Sequence, residues 1–193
     1  EYSDRYGETA ADSTLVIEGL YHYGVDREYL LPSLRKLAKI YYDSGSGGFK
    51  TINTSTPEYW KGVSVETTAH VAYLMKLIAP DEFKKQISTS VSFLLKNQKR
   101  DGIWGGRWFP SLMIPTFYSI RLLNSFGMKY NANINKAFNT IKIKLNRNGH
   151  WSNSVIETSL AVLSLKLKKD LFSLEIAKAQ KWIKSKQVKS NLW

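Results

Sequence analysis

Three carboxylates recur at one place in a repeated pattern. Asp12-Ser13-Thr14, Glu66-Thr67-Thr68 and Glu157-Thr158-Ser159 each open an apolar helical stretch, and Pro115-Thr116-Phe117 opens a fourth. Two kinds of chemistry fit such residues. Acidic and hydroxyl side chains at a helix start bind free backbone N–H groups and complement the helix dipole. Carboxylates gathered at one cavity mouth can instead include a proton-active member. Both readings stand on sequence alone. His70 follows Glu66 by one helical turn, so it is placed either toward the same cavity or as a packing histidine.

Other chemistries are excluded or unsupported. The chain has no Cys, so thiolate metal sites and disulfides are ruled out. His22, His70 and His150 have no metal-ligand spacing. Gly45-Ser46-Gly47-Gly48 reads as a turn and not as a phosphate loop. No resident cofactor is indicated by these residues.

Four helical pairs are expected to position these residues. An aromatic follows Gly, or Asn in the last case, at two residues' distance: Gly47/Phe49, Gly102/Trp104, Gly149/Trp151 and Asn191/Trp193. The aromatics lie 55, 47 and 42 residues apart, a spacing suited to helical-pair repeats. Amphipathic outer helices are predicted at 29–42, 82–98, 133–146 and 173–187. More apolar inner helices are predicted at 11–23, 65–78, 115–126 and 156–167, and their all-round apolar character predicts burial. No β-pattern competes. The fold class is therefore all-α, an α/α arrangement of about four inner/outer hairpins. At 193 residues, 43% of them hydrophobic, the chain reads as a single domain over 1–193 with a substantial core.

Charge is uneven. Residues 1–96 carry 11 basic and 12 acidic side chains, and residues 97–193 carry 17 and 4. The second half suits an acidic partner or a solvated Lys-rich face. Its 13 Lys against 4 Arg rank nucleic acid below an anionic membrane surface or a phosphorylated small molecule. No apolar run has membrane-spanning length. The compartment stays open between cytoplasmic and membrane-peripheral.

The spacing Gln98, Gly102, Trp104, and likewise Gln187, Asn191, Trp193, resembles the QW motif of the terpenoid cyclase and prenyltransferase repeat superfamily, which includes the squalene–hopene cyclases. The third copy has Leu145 in the place of Gln. The resemblance implies an α/α toroid whose Gln and Trp brace neighbouring helices. Eight helices are fewer than a closed ring holds, so the chain is expected to be a compact ring or a fragment of a longer toroid.

The resemblance also implies a chemistry. Class II terpenoid cyclases protonate an alkene or epoxide with the middle Asp of a DxDD motif. Ala10-Ala11-Asp12-Ser13-Thr14 resembles that motif, with Asp12 at the general-acid position and Ala10 and Ser13 replacing its neighbours. Glu8 is a candidate second carboxyl. Aromatic faces stabilise carbocations. Trp60, Trp108, Phe109 and Tyr118, with Tyr59 and Phe117, are the candidates, and the loop 50–64 around Trp60 is a candidate lid. Glu66 and Glu157 join the expected substrate surface, Arg107 is placed to hold a diphosphate, and the one cofactor the resemblance implies is a magnesium ion accompanying such a substrate. The implied function is proton-initiated cyclisation of an isoprenoid, with a homodimer, partner chain or membrane covering the pocket. The alternative is a non-catalytic module that binds an isoprenoid, peptide, glycan or protein.

Overall fold

The structure is a computed structural model that describes residues 9–52, 62–107 and 111–187. Its contacts divide the chain into two compact units, Glu1–Asn97 and Gln98–Trp193. The charge asymmetry falls on the same boundary.

Unit 1 contains α1 (Ala10–His22), α2 (Arg27–Tyr41), α3 (Val65–Ile78) and α4 (Lys84–Asn97). The outer helix α2 buries Leu30, Leu34, Leu37 and Tyr41, one stripe at helical spacing. The outer helix α4 buries Ile87, Val91 and Leu94 in the same way. The inner helix α3 is buried nearly all round, as its composition predicts. The inner helix α1 is not: Leu15 is 55% and Val16 61% exposed. It packs on α2 and α3 within the unit, and these cover only part of its surface.

No strand is legible in the amino-acid pattern, yet unit 1 holds a small antiparallel sheet. Its strands are β1 (Tyr42–Asp43), β2 (Gly48–Lys50) and β3 (Val63–Ser64), in that spatial order. Segments of two or three residues carry no readable alternation. Pairing sets Tyr42 opposite Phe49 and Phe49 opposite Ser64, which anchors the repeat aromatic Phe49 at the start of α3.

Unit 2 contains α5 (Met113–Asn124), α6 (Asn131–Asn148), α7 (Val155–Lys166) and α8 (Ser173–Ser185). Short 3-10 turns at Gly127–Tyr130 and Lys169–Leu171 precede its two outer helices. Pro115 sits in the first turn of α5, where a missing N–H breaks no helical bond. Ile134, Ala137, Phe138, Ile141 and Leu145 form the buried stripe of α6. The inner helix α7 again departs from the expected full burial, with Ile156 69% and Leu163 46% exposed.

The glycines of the motifs do more than end helices. Gly102 has φ +91°, and a Cβ there would lie 2.5 Å from the backbone carbon of Lys136 on α6. Gly47, at φ +78°, abuts Thr89 on α4 in the same manner. These two motif turns therefore lie against the outer helix that follows them at a distance only glycine permits, whereas at Gly149 a Cβ would meet Lys178 at an ordinary 3.5 Å. Gln98 completes the brace in unit 2. Its Nε2 donates to the carbonyls of Gly102 (2.7 Å) and Asn133 (2.9 Å), and its Oε1 accepts from Asn133 Nδ2 (2.7 Å). Leu145, in the Gln position of the next copy, is fully buried, and its carbonyl accepts from Gly149 N–H at 2.7 Å. Asn191 and Trp193 lie outside the described residues.

Candidate functional site

Hydroxyl side chains mark the start of every inner helix; before α5 it is Ser111, whose Oγ accepts from Ile114 N–H at 3.1 Å. Thr9, Ser64 and Ser154 cap α1, α3 and α7, each accepting from the backbone N–H three residues on. Just beyond, on α3, α5 and α7, a threonine receives the repeat aromatic. Thr68 Oγ1 accepts from Phe49 N–H at 2.8 Å, Thr116 Oγ1 from Trp104 N–H at 3.0 Å, and Thr158 Oγ1 from Trp151 N–H at 3.0 Å. All three aromatics are buried. This Thr–aromatic lock, read in the sequence only as part of a helix start, aligns the repeats.

The lock changes the expected register of the carboxylates. Asp12 and Glu157 both occupy the third helical position, where Thr9 and Ser154 bind their N–H groups. Glu66 sits one residue earlier, because Thr67 holds the third position in α3. That single step rotates Glu66 by about 100° around its helix relative to the other two.

Asp12 is exposed and part of a reciprocal cap. Its Oδ2 accepts from Thr9 Oγ1 at 2.7 Å, while its N–H donates to the same hydroxyl at 3.0 Å. It stands at one end of a cleft of about 370 Å³ between α1 and α2, whose walls include Val16, Ile17, Leu20, Leu30 and Leu37. Glu66 is 6% exposed. Glu157 is half-buried, and its Oε1 is buried with no hydrogen-bond partner among the described residues. Tyr118 is half-buried on α5, its ring 5.2 Å from that of Phe117, over which the Arg121 guanidinium lies at 5.8 Å. Arg107 is exposed. Glu8, Tyr59, Trp60, Trp108 and Phe109 lie outside the described residues, as does most of the candidate lid.

His70 pairs with a residue the sequence reading missed. Its Nε2 lies 2.6 Å from Oε2 of Glu18 on α1. Oε1 of Glu18 in turn lies 3.6 Å from His22 Nε2. The available signal was a lone carboxylate inside the apolar run Leu15-Val16-Ile17-Glu18-Gly19-Leu20. A charge there needs a partner.

Two residues before, two after and five after the lock threonine, one stripe recurs on the three locked inner helices. In unit 1 it holds Glu66, His70 and Tyr73 on α3; α1, with no such lock among the described residues, carries Leu15, Glu18 and His22 on a stripe of its own. In unit 2 it holds Ile114, Tyr118 and Arg121 on α5 and Ile156, Leu160 and Leu163 on α7. The stripe is titratable in the first unit and largely apolar in the second. A further cleft in unit 2, about 390 Å³, is lined by Asp101, Lys144, Asn148 and His150, none of them a predicted site residue. Among the described residues no group of three His, Asp or Glu is arranged to hold a metal, and no helix is long and apolar enough to cross a membrane.

Comparison with known proteins agrees with this architecture. The sequence profile of the squalene-hopene cyclase C-terminal domain matches residues 60–158. No curated protein matches the sequence. Among solved structures, the apo type II terpene cyclase MstE from Scytonema superposes with a TM-score of 0.76 at 18% identity, over 96% of this chain and 57% of its own. A variant of MstE bound to its substrate, geranylgeranyl dihydroxybenzoate, gives 0.78 at 19% identity over 96% and 56%. The ent-copalyl diphosphate synthase from Streptomyces platensis gives 0.63 at 19% over 75% and 30%. The chain thus spans little more than half of the MstE chain. With that profile over half of its length, and the all-α toroid class of the type II terpene cyclases as its fold, the chain belongs to the squalene-hopene cyclase C-terminal domain family.

Proposed function

We propose that the protein starts the cyclisation of a prenyl diphosphate or related isoprenoid by protonating it, with Asp12 as the proton donor. One observation carries this reading. Asp12 holds the middle position of the reduced motif Ala10-Ala11-Asp12-Ser13-Thr14 and stands at the end of an apolar cleft. Its volume of about 370 Å³ is of small-molecule size. Isoprenoid binding by a structural neighbour supports the ligand class.

The chemistry follows from the parts. The carboxyl proton passes to one carbon of a C=C bond, whose π electrons form the new C–H bond. The adjacent carbon becomes cationic and is attacked by the next C=C. Aromatic faces lower the cost of each cation, the role assigned here to Trp60, Trp108, Phe109 and Tyr118. Glu66 and Glu157 would border the chain, and Arg107, with a magnesium ion, would hold a diphosphate. The reaction as written needs no redox cofactor. Asp12 is exposed in the isolated chain, so water must be excluded by the bound isoprenoid and a covering surface. A second copy, a partner chain or an anionic membrane would supply it.

A second reading is a binding module without catalysis. It is favoured by the way Asp12 is engaged: exposed, and bonded to its own capping residue.

Product analysis by gas chromatography and mass spectrometry separates the two. The chain is incubated with farnesyl diphosphate, geranylgeranyl diphosphate or squalene, then with phosphatase. Cyclised product that disappears in Asp12→Asn is the expected result. Tight isoprenoid binding without product would establish the module.

A further inference from the structure

Glycine inside a helix weakens it, so its presence there calls for a reason, and close approach of another element is the usual one. Gly47 and Gly102 meet such an approach within the chain. Gly19, in the body of α1, does not: a Cβ there would find nothing within 4 Å. The surface around it is apolar and uncovered. Val16 and Leu20 are 61% and 42% exposed and share one stripe with Gly19 and Tyr23, with Asp12 at its head. Tyr23 is 88% exposed and keeps helical backbone angles at the end of α1. Asp12, Val16 and Leu20 also line the cleft between α1 and α2, so this stripe is the rim of the cleft.

The stripe complements itself when a second copy is turned end for end. A two-fold axis level with the Ile17–Glu18 peptide sets each Asp12 opposite the partner's Tyr23 and each Val16 beside the partner's Gly19. The branched side chain then enters the space that glycine leaves, and the two helix axes can close to about 8 Å. The phenol donates where the carboxylate accepts. Antiparallel helices also lay opposite dipole ends side by side, whereas a parallel pair would set Asp12 against Asp12. The exposed surface of Leu15, Val16, Leu20, Tyr23 and, at the cleft mouth, Tyr29 comes to roughly 700 Å² per copy, near the ~800 Å² that each partner gives to a stable interface.

We propose that two copies of this chain pair antiparallel through the exposed stripe of α1, and that each lends its Tyr23 to the Asp12 end of the other's cleft. The pairing stands on this helix face alone. Its role as the cover that keeps water from Asp12 rests on the cyclase reading above. Each cleft then has three walls: α1 and α2 of its own copy and α1 of the partner.

Sedimentation velocity of the full chain over a concentration series tests the pairing, and a species of twice the chain mass is expected. Gly19→Glu points into open space in the single copy, so the helical circular dichroism should stay. In the pair it fills the seam, and the dimer Kd should rise by about tenfold or more. Orientation is read by cross-linking, since the chain has no Cys of its own. A mixture of Asp12→Cys and Tyr23→Cys chains should link on mild oxidation, and Asp12→Cys alone should not. The reverse pattern overturns the antiparallel arrangement. A wild type that stays monomeric, or a dimer that Gly19→Glu leaves intact, overturns the pairing. A monomer that floats with phosphatidylglycerol vesicles, and fails to as Gly19→Glu, gives the face to a membrane and overturns it too. Product analysis with geranylgeranyl diphosphate separates the two readings. A paired wild type without cyclised product ends the cyclase reading and leaves the pairing standing. Unchanged product from monomeric Gly19→Glu keeps the cyclase reading and overturns the cover.

Discussion

In unit 1 the ring that closes a repeat is Phe49. It sits on β2, pairs across the sheet with Tyr42 and Ser64, and has the Tyr42 ring 5.3 Å away. In unit 2 the rings are Trp104 and Trp151, with no sheet among the described residues to carry them. Both units still deliver the aromatic N–H to a threonine on the following inner helix. The lock is constant and its cover varies: a larger ring in unit 2, a smaller ring with strands in unit 1. The same division appears in chemistry. The lock-counted stripe of α3 in unit 1 is titratable, that of unit 2 is mainly apolar, and the net positive charge lies in unit 2.

The largest expected effect breaks the covers. Trp104→Ala removes a fully buried ring and should cost about 3–5 kcal/mol in urea unfolding. Phe49→Ala should fall at the low end of that range, because Tyr42 and the strands remain. A loss for Phe49 as large as that for Trp104 would show that the sheet contributes nothing to the cover. A smaller effect tests the lock. Thr68→Val, Thr116→Val and Thr158→Val each strand a buried N–H, for about 1–3 kcal/mol. Faster amide exchange at Phe49, Trp104 and Trp151 respectively is the readout, and an unchanged amide would refute the lock at that repeat.

The smallest effect is confined to unit 1. The hydroxyl of Ser46, 2.6 Å from Asp43, holds the Asp43 carboxyl below the usual carboxylate range. A lowered folded pKa gives stability that is present above the unfolded pKa and lost as pH falls through the folded one. Asp43→Asn should therefore flatten the acid limb of the Tm-against-pH curve, with its cost confined to the neutral region where that stability is present. A parallel downward shift at all pH values would contradict this.

Much of the fold is legible in the sequence because its signals are local. Helical spacing and Gly punctuation place all eight helices within a few residues of those observed among the described residues. The sheet is not legible, since two-residue strands carry no period. The Asp12 and Glu157 positions are readable from the hydroxyls before them. Glu66 slips by one because Glu66-Thr67-Thr68 offers two threonines, and only the Phe49 bond selects Thr68. The Glu18–His70 pair spans 52 residues and joins two helices, so no local pattern encodes it.

The Thr–aromatic lock also sets a timetable. The chain it closes shortens from 19 residues at Phe49–Thr68 to 12 at Trp104–Thr116 and 7 at Trp151–Thr158. Closure entropy rises by about 0.6 kcal/mol for each doubling of loop length, so the first lock closes at roughly 0.9 kcal/mol more than the last. Nucleation is thereby biased toward the C-terminal repeat, and the titratable unit is the one whose lock waits longest for its partner.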